Sequence, residues 1–220
     1  MSRDTRAGHR IAFGLVVLVT AATSGCVAVG ATRFYGTSTV TPLPTLATAQ
    51  PSTGLAVGVR VEDLRAGVHP YEVGSKRSGT WGFEASTIDL KGQVPLVAQV
   101  AQDVVAMLRD IGYRAGPADE AGGVDLLLTV RIHIFRLEAV PEASWMGGDV
   151  LVSFECRAAS GRRLALDAIG LRRVGPRAGG LGIEEQLYQE QFEALYTGLR
   201  ERLRQRLAED LRAALIARPN

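Results

Sequence analysis

Two runs of alternating side chains set the strongest constraint on what this 220-residue chain can fold into. Leu126, Leu128, Val130, Ile132 and Ile134 fall on one side of an extended chain, with Thr129, Arg131 and His133 on the other. Val150, Val152, Phe154 and Cys156 repeat the pattern against Ser153, Glu155 and Arg157. Successive side chains of a strand point to opposite faces, so each run is a strand with one apolar and one polar side. Pro141 to Gly148 reads as the loop between them. Ser160-Gly161 supplies the next turn, and Leu164, Leu166, Ala168 and Gly170 mark a third strand. Together they predict an antiparallel meander with one face buried.

That face needs a cover. Pro95 stands where a helix starts, because its missing N–H costs nothing there. Val97, Val100, Ala101, Val104, Leu108 and Ile111 follow at three-and-four spacing, and Gly112 ends the run. A second, longer helix is predicted from Glu184 to about Ala217, carrying Leu187, Leu195, Leu199, Leu203, Leu207, Leu211 and Leu215. A four-residue spacing exceeds the helical 3.6, so this stripe drifts around the axis and needs curvature or a second contact surface. Tyr188, Phe192 and Tyr196 widen it, and Gly198 is its weak point. Val57, Val59 and Val61 form one further strand, while Asp63 to Phe83 and Gly175 to Gly182 read as glycine-bearing loops. The expected fold class is α+β: a mixed, mainly antiparallel sheet of about four strands, with two helices packed on one face. The expected domain spans 54–217.

What precedes it has a different character. Arg3, Arg6 and Arg10 make a positive start, Ile11 to Ala22 is an unbroken apolar run, and Thr23-Ser24-Gly25-Cys26 follows. This is the three-part layout of a secretory signal, with an apolar stretch too short to span a bilayer comfortably. Ser24-Gly25-Cys26 resembles the lipobox of bacterial lipoproteins, although Thr23 stands where Leu is usual. The resemblance implies a signal peptide over 1–25, a diacylglyceryl group and a further acyl chain such as palmitate on Cys26, and stable anchoring at about 0.8 kcal/mol per buried methylene. Val27 stands where an Asp would retain such a protein in the inner membrane, so the resemblance implies the outer membrane, with the domain facing the periplasm. Residues 26–53 are small, polar and proline-dotted and read as a tether, reaching roughly 30 Å as a flexible coil.

The leader also corrects the charge. The whole chain carries 25 basic and 23 acidic residues, but residues 1–25 hold three of the former and one of the latter, leaving 22 of each. No basic excess remains to bind phosphate, so nucleic acid is not an expected partner. Of the two cysteines, acylated Cys26 is unavailable for a disulfide, which leaves Cys156 as a small core residue.

Val59-Arg60-Val61-Glu62-Asp63-Leu64-Arg65, with Val73-Gly74 a short distance on, resembles the YajG-type family of envelope lipoproteins. Leu108-Arg109-Asp110-Ile111-Gly112-Tyr113 and Asp125-Leu126-Leu127-Leu128-Thr129-Val130 fit the same plan. The resemblance covers about residues 40 to 215. It implies fold and compartment more than activity, and auxiliary subunits of lipid-transporting ABC systems share the plan.

Candidate chemistry is sparse. His69, near Asp63 and Glu72, lacks the spacing of a metal site, and His133 lies on a polar strand face. No Gly-x-Ser-x-Gly elbow is present. Arg177-Ala178-Gly179-Gly180-Leu181-Gly182 precedes a helix, but Glu184 and Glu185 already hold its positive end. Asp63, Arg65 and Gly74 read as a structural motif that fixes a loop, with ligand contact the lesser alternative. Trp81 with Phe83, and Trp145 with Met146, sit in glycine-bearing segments, where they either meet a partner or lipid or fold back on the core. The expectation is therefore a non-enzymatic, membrane-anchored binding or accessory protein without metal or cofactor, whose partner is an envelope protein or lipid. The alternative is an auxiliary lipoprotein subunit of a lipid-transporting ABC system.

Overall fold

The computed structural model describes residues 32–34, 54–78, 83–90, 94–119, 123–140, 145–175 and 185–216. In chain order these form β1 (Thr32–Phe34), β2 (Ala56–Asp63), β3 (Glu72–Ser78), β4 (Phe83–Leu90), α1 (Leu96–Asp110), β5 (Arg114–Pro117), β6 (Leu126–Val140), β7 (Trp145–Ala158), β8 (Arg163–Val174) and α2 (Glu185–Ile216). The α+β class and the two covering helices match expectation, but the sheet is larger: seven strands within the domain, with the three-residue β1 added as an eighth.

The sheet is organised by β6. Along one edge, β7 pairs with it antiparallel, from Leu126↔Ala158 to Val140↔Trp145. The other edge is shared by two strands in succession. β2 runs parallel to the first half, from Val57↔Leu126 to Asp63↔Ile132, and β3 runs parallel to the second, from Gly74↔Leu137 to Lys76↔Ala139. β5 extends the β2 branch, β4 and then β1 extend the β3 branch, and β8 extends β7. The sheet therefore forks at β6. Among the described residues four of its seven pairings are parallel, but the antiparallel ones, β6–β7 and β7–β8 above all, hold most of the paired residues.

Three sequence expectations fail for physical reasons. First, the register on β7 moves from Ile132↔Val152 to Ile134↔Leu151, which makes His133 an extra residue in a bulge. The bulge exchanges the faces of β6, so Phe135, Leu137 and Ala139 turn inward and Ile134 is left 40% exposed. Second, β8 is shifted by one residue from its predicted facing. Pairing sets Ile169 opposite Val152 and Ala165 opposite Cys156, so Ile169 is buried and Leu166 is 56% exposed. Third, the segment 63–83, expected to be a loop, contains all of β3 and the start of β4. On β3 only Val73 and Ser75 supply an alternating buried side, too polar a signal to declare a strand.

One core lies between the inner face and the helices. α1 packs on β2 and β5, α2 on β6, β7 and β8, and the two helices touch. Pro95 is the N-cap of α1, and Gly112 at φ +98° closes it by donating to the Arg109 carbonyl. On α2, Leu195, Leu199, Leu203, Leu207 and Leu211 are all buried. Each four-residue step turns the stripe by about 40°, and α1 supplies the second surface this drift requires. The Tyr196 hydroxyl donates to Asp103 Oδ2 at 2.7 Å, and Arg200 Nε lies 3.2 Å from the same oxygen. At the start of α2, Phe192 and Tyr196 stack at 5.4 Å against Phe135 of the sheet.

Gly74 sits where β3 meets β6, and a Cβ there would overlap the Leu137 backbone. Gly74→Ala is expected to cost about 1–3 kcal/mol by urea unfolding. Gly116→Ala, which meets nothing within 4 Å, should stay near wild type.

Candidate functional site

With both helices on the inner face, the outer face of β2, β6, β7 and β8 is left to solvent, and its polar side chains form a connected ladder. Glu62 of β2 accepts from Arg131 Nε of β6 at 2.9 Å. Arg131 also lies 3.3 Å from Glu155 of β7, which accepts from Arg163 Nε of β8 at 2.8 Å and pairs with Arg157 at 2.7 Å. Burial works to raise the pKa of Glu155, but hydrogen bonds from Arg163 and Arg131 and the charges of Arg157 and Arg163 prevail and hold it below the usual glutamate value. Beside the ladder, His133 Nε2 and Ser153 Oγ are 2.7 Å apart. The bulge aims His133 at this serine. That spacing suits a nucleophile and base, but Ser153 lies on β7, which is paired with β6 on one edge and β8 on the other, so the β7 amides beside it are committed to the sheet rather than free as oxyanion donors. Exposed Ile134, Leu151 and Leu166 interrupt the charges, giving a face of mixed apolar and ionic character.

The Asp63, Arg65 and Gly74 group lies at the fork. β2 leaves β6 after Asp63, where Leu64 N–H donates to the Ile132 carbonyl, and the chain returns as β3. The Arg65 guanidinium, only 4% exposed, spans the gap: Nε and one terminal nitrogen donate to the two Asp63 carboxyl oxygens at 2.8 and 2.7 Å, and the other donates to the Glu72 carbonyl at 2.6 Å. The hydrogen bond from Arg65 outweighs burial and holds the Asp63 carboxyl below its ordinary range.

His69, within the excursion between β2 and β3, places Nε2 3.0 Å from Asp89 and 3.8 Å from Glu72, not beside Asp63 as the sequence suggested. Among the described residues no group of three His, Cys, Asp or Glu side chains is arranged to hold a metal. Cys156 is fully buried, and burial pushes its thiol up to about 11, so it is not a nucleophile at neutral pH.

Cys26 and Trp81 lie outside the described residues. Phe83 begins β4. Trp145 is in a strand, not a loop: it opens β7, half-buried, with its ring so close over Gly147 that a Cβ there would meet it at 2.7 Å. Met146 is in the core at 3% exposure. The alternation on β6 and β7 already named Arg131, His133, Ser153, Glu155 and Arg157. The partners Glu62, Arg163 and Asp89 depend on strand order, which local pattern does not carry.

No known protein family and no curated protein matches this sequence. A solved Xanthomonas campestris protein of the DUF330 family shares the fold at a TM-score of 0.57 and 16% identity, covering 82% of this chain and 97% of its own. That likeness establishes fold alone, and it names DUF330 where the short motifs pointed to the YajG-type family. Lipoprotein GNA1162 of Neisseria meningitidis (TM-score 0.35, 11% identity, 67% and 99% covered) and the PelC dodecamer of Paraburkholderia phytofirmans (0.34, 15%, 70% and 91%) are similar too loosely to carry an argument.

Since the Asp63 pKa is depressed in the folded state, its contribution to stability is complete well above the ordinary aspartate value of 3.8 and is lost as pH falls through the lowered one. Urea midpoints measured from about pH 5 to pH 3 should fall less for Asp63→Asn than for wild type.

Proposed function

We propose that this chain is a lipid-anchored protein of the bacterial envelope, cleaved before Cys26, whose folded domain is a non-enzymatic docking module. The outer membrane is the proposed location, from Val27, with the domain in the periplasm. The observation that carries the docking reading is the asymmetry of the sheet. Both helices cover one face, while the other presents the Glu62–Arg131–Glu155–Arg163 ladder with Ile134, Leu151 and Leu166. Mixed ionic and apolar surfaces of this kind suit protein partners.

Lipid carriage between sheet and helix is disfavoured. Tyr188, Phe192, Leu195, Tyr196, Leu199, Leu203, Leu207 and Leu211 are at most 2% exposed there, so the space is filled. Beside a lipid-transporting ABC system, the chain would serve by docking rather than by holding lipid. Among the described residues no helix is long and apolar enough to cross a membrane.

Mass spectrometry of the mature N-terminus should find an acylated Cys26, and Cys26→Ala should leave the membrane fraction; an unmodified cysteine would sink the anchor. A photocrosslinker at Ser153 or Leu166 in native envelopes should capture a discrete protein. The same group at Glu201 on α2 should not, and equal capture from both would remove the docking face.

A further inference from the structure

Among the described residues β8 pairs only with β7, so one edge of this 12-residue strand is without a strand partner. Antiparallel geometry fixes which groups it presents, because both backbone groups of alternate residues point to the same edge. Gly175 N–H donates to the Met146 carbonyl of β7, so odd-numbered residues face inward along the ladder. Even-numbered residues from Leu166 to Val174 therefore direct N–H and C=O outward. Two side-chain contacts agree with this assignment. Ala168 N–H is taken by Asp167 Oδ1 at 2.7 Å, and Arg202 of α2 donates to the Gly170 carbonyl at 2.9 Å. The centre of the edge is thus held by the chain's own side chains, while Leu166, Arg172 and Val174 flank it, all exposed.

Charge identifies what fits. β8 carries Arg163, Arg172 and Arg173 against one acid, Asp167, which lies 3.5 Å from Arg206 of α2; Arg163 pairs with Glu155 and Arg172 with Asp149 on β7, but each of those carboxylates is shared with further arginines, so the strand stays positive. Arg172 is 80% exposed, and Arg163 and Arg206 are each more than half exposed. Leu166 and Val174 are exposed on the outer face and offer apolar contacts towards the two ends of the edge. We infer that the free edge of β8 is a docking edge for an extended, acidic segment of a partner protein, added as a further strand with its carboxylates against Arg172, Arg173 and Arg202. Asp167 and Arg202 hold the outward groups when no strand is present, which blunts the edge against indiscriminate pairing. The inference rests on the docking reading above but concerns the edge rather than the face, so loss of peptide binding here would leave crosslinking from Ser153 untouched.

The test uses the purified full-length chain in detergent and fluorescent eight-residue peptides of alternating Glu and Val, of alternating Lys and Val, and of the Glu-Val sequence with alternate amides N-methylated. Glu-Val should bind saturably. Lys-Val and the N-methylated peptide should bind at least tenfold more weakly. Gly170→Pro deletes an outward N–H without touching the β7 ladder and should weaken Glu-Val binding at least tenfold. Gly170→Ala, with open space around its Cβ, should not. If the proline variant fails to fold, the N-methylated peptide still decides. Absence of Glu-Val binding, equal binding of the three peptides, or a self-associated chain that Gly170→Pro dissociates would each overturn the proposal, the last by showing a second copy in the acidic segment's place.

Discussion

The parallel pairing of β6 with two successive strands is the constraint on which the architecture depends. A 15-residue strand is too long for either β2 or β3 to cover, so each takes half of one edge and the chain between them loops away. Backbone groups at such a break need partners, because unpaired buried amides and carbonyls are costly. Leu64 N–H and the Arg65 guanidinium supply them, donating to the carbonyls of Ile132 and Glu72. The bulge at His133 lies beside the same break. It lets β6 change face, so that Leu126 to Ile132 fill the core under one branch and Phe135 to Ala139 under the other.

Legibility in the sequence followed burial. β6 and β7 were plain because one side is almost wholly apolar, and α1 because its stripe, its proline and its terminal glycine agree. α2 was plain in extent, and its four-residue drift asked for curvature or a second contact surface, of which α1 supplies the latter. β3 and β4 were not legible, since strands buried around Val73, Ser75, Ile88 and Leu90 present few apolar residues in alternation. The facing of β8 was misread because Leu164-Ala165-Leu166 permits either parity, and only its pairing with β7 decides between them. Arg65 was readable as part of a structural motif. That it spans the gap between two strands became visible only once β3 was known to be one.

Charge is distributed differently over each surface. Within the outer face, carboxylates and guanidiniums alternate across four strands and satisfy one another, leaving little net field. At the β8 edge the balance tips positive, and on the helix-covered side Asp103 is answered by Tyr196 and Arg200. A chain with equal numbers of acidic and basic residues beyond residue 25 thus concentrates charge asymmetry along one strand, a local feature that whole-chain composition conceals.

The fork also governs how the domain bears load. β1 lies at one end of the β3 branch, held to β4 by three parallel residue pairs from Thr32 to Phe34. β2, the next strand in the chain, shares one edge of β6 with β3, so it lies two interstrand spacings from β1, roughly 10 Å, and is further offset along β6. Tension entering from the N-terminal side therefore meets the short β1–β4 contact before it meets β2. Three pairs can peel away while β2, locked between β5 and β6, keeps its register. β1 would act as a mechanical fuse, yielding before the core opens.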